Sequence, residues 1–120
     1  VRIAGAADER DNGWEQHQPR FRVCFFAGGD APSASWSTDT YDAAGADVLE
    51  VVQWAQDHAG SERLYAIALV DEDHTLPADQ CRGSTWLVGM DANEFQVDED
   101  ERRCFAAMLA RRGKRVLGLR

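Results

Sequence analysis

Asp71, Asp73, His74 and Cys81 are the side chains in this 120-residue chain whose types and spacing suit chemistry. Carboxylate oxygens, an imidazole and a thiolate form an admissible ligand set for zinc or manganese, although their spacing matches no structural zinc pattern. Two carboxylates two residues apart at a strand end can also converge on a metal-bound phosphoryl group, one attacking and the other moving the proton. Both chemistries would sit in Asp71-Glu72-Asp73-His74-Thr75-Leu76, where the apolar run Leu64–Val70 stops. The plainer role of so acidic a segment, followed by Pro77 and a polar stretch, is a solvated connection between two strands. Other ligand-binding patterns are weaker. Asp91-Ala92-Asn93-Glu94 opens like a calcium loop but has Gln96 where such a loop needs glycine.

Four apolar residues followed by Asp71-x-Asp73-x-Thr75-Leu76 resemble the first motif of the haloacid-dehalogenase-like phosphohydrolases. The resemblance implies a phosphoryl-accepting nucleophile at Asp71, a general acid/base at Asp73 and Mg²⁺ held beside them. It is confined to this short stretch.

The elements that would position these residues follow from periodicity. Arg20–Ala27 is a strand with Phe21, Val23 and Phe25 on its core face. A Gly28–Ser33 turn leads to a polar edge strand over Ser35–Tyr41, making a hairpin. Asp47, with Glu50 three residues on, opens a helix whose Val48, Val51, Val52, Ala55 and Ala59 share one face and which Gly60 stops. Leu64–Val70 is apolar on both faces, the mark of a central strand covered on both sides. In Ser84–Asp91 the Trp86, Val88, Met90 side reads as buried. Asp98 and Glu101 open a second helix with a Cys104, Phe105, Met108, Leu109 stripe, stopped at Gly113.

The expected organisation is a loose arm over residues 1–19, anchored by Trp14, a single α+β domain over 20–113, and a basic tail over 114–120. The order ββαββα predicts a two-layer sandwich, an antiparallel sheet of about four strands with both helices on one face. That arrangement leaves the other face bare. Its expected lining of Cys24, Phe26, Tyr65, Ile67, Leu69 and Leu87 would be a larger apolar patch than a monomer usually shows to water.

Composition narrows the function. The formal net charge of −8 disfavours nonspecific nucleic-acid binding, even though Arg20, Arg22 and the tail could touch phosphates and sheet aromatics could stack bases. Residues 1–101 hold all 21 acidic residues, whereas seven of the 13 basic ones lie between Arg102 and Arg120. No apolar run is long enough to cross a membrane, the amino terminus lacks a signal-peptide core, and three widely spaced cysteines form no disulfide framework, so a reduced, cytoplasmic setting is expected. These features point away from an enzyme and from any cofactor. They favour a small acidic protein–protein interaction domain, a homodimer or the partner of another protein, using Phe26, Tyr65, Ile67, Leu69 and Leu87 as its surface.

Overall fold

The computed structural model describes residues 1–8, 10, 17–31, 34–72 and 74–117. The expected arm and its anchor Trp14, part of the Gly28–Ser33 turn, Asp73 and the end of the tail fall wholly or partly outside them. The described chain forms β1 (Arg20–Ala27), β2 (Ser37–Ala43), α1 (Val48–Ala59), β3 (Leu64–Glu72), β4 (Arg82–Val88) and α2 (Glu99–Arg111). The strands make one sheet in the order β2-β1-β3-β4, antiparallel at every pairing. The fold is thus α+β with the expected ββαββα order.

Each helix starts where its local sequence directs. At α1, the Asp47 carboxylate accepts from the Glu50 N–H at 2.9 Å, and Glu50 accepts from the Asp47 N–H at 3.1 Å. This reciprocal box satisfies two amides that the first helical turn leaves without partners. At α2, Asp98 accepts from the Glu101 N–H at 2.8 Å, while Glu101 reaches back to the Val97 N–H at 3.0 Å. Gly60 ends α1 with φ of 65°, in the left-handed region that glycine enters without steric cost.

The register of β1 on β3 decides where the helices go. Phe21, Val23 and Phe25 lie opposite Leu69, Ile67 and Tyr65, and they line one face with Val51, Val52, Ala55 and Ala59 of α1. Cys24 and Phe26 lie opposite Ala66 and Leu64 on the other face, where Met108 of α2 joins them with Met90 and Ala92. Side chains alternate along a strand, so these are two separate cores. The helices therefore divide the faces between them instead of sharing one. Two central strands apolar on both sides require two covers, and each amphipathic helix has only one stripe to bury.

The expected bare patch does not exist as a patch. Phe26 (1% exposed) belongs to the core under α2, whereas Tyr65 (6%) and Ile67 (0%) belong to the core under α1, with half-buried Leu69 beside them. Leu87, at 45%, is the member that stays exposed. Cys24 is also buried, and burial pushes its thiol above the ordinary range, consistent with a small hydrophobe.

A second departure lies in β4. Ile67 pairs with Val88 and Ala68 with Trp86, so Leu87 is an extra residue on β4, a bulge that breaks the alternation. Trp86, Val88 and Met90 consequently do not share a face. Trp86 is 40% exposed, Val88 packs against the core under α1, and Met90 is buried in the core under α2.

Candidate interaction surface

Glu72 pairs with Arg82, Asp71 with Gly83 and Val70 with Ser84, so the acidic hexapeptide opens a β-hairpin connection. Asp71 is exposed. The His74 side chain is 82% exposed, with Nε2 at 3.5 Å from Glu72. The Cys81 thiol donates to the Ala78 carbonyl at 3.4 Å, and Asp73 lies outside the described residues. Among the described residues, no three of His, Cys, Asp and Glu gather as metal ligands would. β3 leads into an antiparallel neighbour, so the motif sits in the connection of a hairpin.

Glu72, which carried no expectation from sequence, is the residue that organises this end of the sheet. Its Oε1 accepts from Arg20 of β1 at 2.8 Å and from Arg82 of β4 at 3.0 Å, tying three strands together. Those two bonds hold its carboxyl below the usual range, Arg20 contributing most. Farther along the sheet, Arg22 Nε donates to Asp42 of β2 at 2.9 Å and likewise depresses the Asp42 carboxyl. Arg20 and Arg22, which by type could touch phosphates, are thus both engaged with carboxylates.

A depressed folded-state pKa means that both carboxylates contribute stability above the unfolded-state value, about 4. That contribution is lost as pH falls through the lower folded value. The denaturant midpoint should therefore drop as pH falls below about 4, and less in a Glu72→Gln, Asp42→Asn double variant. Parallel curves for the two proteins would show that these pairs carry no linkage.

These ion pairs border a stretch of sheet outside the core that Met108 of α2 joins. In register across it stand Asp42, Arg22, Ala68 and Trp86, and beside them Arg20, Val70 and Ser84. Ala68 (1%) and Val70 (5%) are nevertheless covered, flanked by long side chains whose apolar stems can lie over small neighbours. The platform ends at β4.

Among the described residues no further strand pairs with β2 or β4, the two sheet edges, but they differ. β2 carries Asp39 and Asp42 among seven residues, six of them exposed, the charged and polar type of edge that resists pairing with another strand. β4 has its single charge at its first residue, Arg82, already held by Glu72. From Gly83 to Val88 it has neither charge nor proline, and Trp86 and Leu87 stand exposed side by side. An unpaired, uncharged strand edge with two large apolar side chains is a template for a further strand. The bulge, found only with the cross-strand register, explains why sequence periodicity missed Trp86 as a surface residue. No protein-family model matches the chain, and no curated protein or solved structure matches it.

Proposed function

We propose that this chain is a protein–protein interaction domain that self-associates through β4, two copies pairing antiparallel to continue one sheet. The observation that carries the reading is the adjacent exposure of Trp86 (40%) and Leu87 (45%) on an unpaired edge strand with no interior charge. A second copy suits this edge on charge. Antiparallel pairing brings the Arg82 end of one strand towards the opposite end of the other, where half-buried Asp91 follows Met90. Two-fold pairing is also self-complementary, each copy supplying the same patch. The net charge of −8 on each copy opposes the encounter, so moderate salt strengthens it.

The test is sedimentation equilibrium over a wide concentration range. Wild type should dimerise, more tightly at 0.15 M salt than at about 0.01 M, where the screening length is some 30 Å. Thr85→Lys with Leu87→Lys places like charges across the proposed seam and should weaken the dimer by about a hundredfold or more, roughly 3 kcal/mol. Both positions are exposed, so the fold should persist by circular dichroism. Wild type that stays monomeric at millimolar concentration, or a lysine variant that dimerises equally well, would overturn the proposal.

A further inference from the structure

Gln56 is buried at 7% exposure on α1, and its amide serves main chain instead of another side chain. Its Oε1 accepts from the N–H groups of Val116 at 2.9 Å and Leu117 at 3.1 Å, while its Nε2 donates to the Leu117 carbonyl. One amide therefore satisfies donors and acceptor of a two-residue stretch of backbone, whatever side chains that stretch carries. Specificity comes from either side. Arg115 pairs with Asp57 of α1, and Leu117 packs against the core formed by Phe21, Val23 and α1.

The segment reaches this groove from the opposite face. α2 ends beside it in sequence, and Gly113, with φ of 75°, turns where a Cβ would stand 3.2 Å from the Ser61 carbonyl. Residues 114–117 belong to no helix or strand, so no ladder ties them to the sheet. Among the described residues they are held by the Gln56 clamp, the Arg115–Asp57 ion pair, the Leu117 anchor and the Lys114 N–H bond to the Arg111 carbonyl at 2.9 Å, and segments held so locally open at little cost compared with central strands.

We propose that the groove floored by Gln56 is a docking site for an extended peptide of the pattern basic–x–aliphatic. Arg115-Val116-Leu117 is its resident occupant, displaced when a partner's segment of the same pattern arrives. Main-chain hydrogen bonds give the grip and side-chain pockets give the selection, as in other modes of extended-peptide recognition. Asp57 selects the cation and the α1 core selects the aliphatic residue. This site is separate from the β4 edge and does not depend on it.

The experiment uses the full-length chain and a fluorescein-labelled peptide of residues 112–120, read by anisotropy. Leu117→Asp in the protein removes the resident anchor. That variant should bind the peptide at least about tenfold more tightly than wild type, because its own segment no longer competes. Adding Gln56→Leu should abolish binding, and an Arg115→Glu change in the peptide should weaken it. Failure of a folded Leu117→Asp protein to bind, or equal binding of the Arg115→Glu peptide, would overturn the proposal. If Leu117→Asp does not fold, hydrogen exchange in wild type decides. The Val116 and Leu117 amides must exchange far faster than that of Ala66 in β3, and equally slow exchange would show a fixed structural segment.

Discussion

Phe25→Ala should lower the free energy of unfolding by about 3–5 kcal/mol, the range for removing a fully buried aromatic ring. Phe25 is 1% exposed, and β1, β2 and α1 meet on its ring. It stands edge-on to Tyr41 of β2 at 5.8 Å and to Trp54 of α1 at 5.7 Å, with the Arg63 guanidinium 4.5 Å from its centroid. Aromatic pairs of this geometry add about 0.5–1.5 kcal/mol each beyond the area they bury. The hole left by alanine cannot close easily, because the rings around it are anchored on two separate elements, β2 and α1. A domain of this size has about 5–15 kcal/mol of stability in total, so the variant should unfold at much lower urea concentration. Phe95→Ala is the control. Phe95 is 84% exposed, and its removal should stay within about 0.5 kcal/mol of wild type. A loss below about 1 kcal/mol at Phe25 would mean that α1 and β2 are not joined through this ring.

What could be read from the sequence was what is decided locally. Asp47 with Glu50 and Asp98 with Glu101 mark helix starts because capping involves residues three apart, and both caps form. The apolar stripes of α1 and α2 and the two-sided character of Leu64–Val70 are likewise properties of short windows. Which face each helix covers is not local. It depends on Phe21 standing opposite Leu69 and Cys24 opposite Ala66, and a one-residue slip would exchange the faces. Without that register, Phe26 and Ile67 appeared to share a surface, although they lie in different cores. The inference that Leu64–Val70 needs a cover on its far side stands, but the cover is the chain's own α2. The surface features followed the same division. Leu87 becomes a bulge residue only through the pairing of Ala68 with Trp86, and the bonds of Glu72 to Arg20 and of Gln56 to Leu117 each span more than 50 residues. By contrast Asp71, His74 and Cys81, conspicuous in sequence, are held by nothing that would bring them to one point.

Met108→Asp tests that cover directly. Met108 is 2% exposed among Cys24, Phe26, Leu64, Ala66, Met90 and Ala92, and its sulfur accepts from the Met90 N–H at 3.4 Å. The contact is close at Gly89, where an added Cβ would lie 3.2 Å from Met108. The described residues of this core include no cation to meet an ionised carboxylate, and burying one without a partner costs several kcal/mol. The cheaper response is for α2 to leave the sheet, exposing Phe26, Leu64 and Met90 to water. A loss of at least about 4 kcal/mol is expected, with binding of a hydrophobic dye, whereas the near-isosteric Met108→Leu should cost less than about 1.5 kcal/mol. The tryptophans report the two faces separately. Trp36 packs with the α2 core and meets Phe105 at 6.4 Å, while Trp54 lies in the α1 core. With 5-fluorotryptophan labelling, Met108→Asp should move the Trp36 resonance first, at temperatures where Trp54 still shows its native position. If Trp36 keeps its native shift and no dye binds, α2 is not what covers this face. If both resonances move together, the two cores unfold as one unit and the sheet cannot stand with only α1 in place.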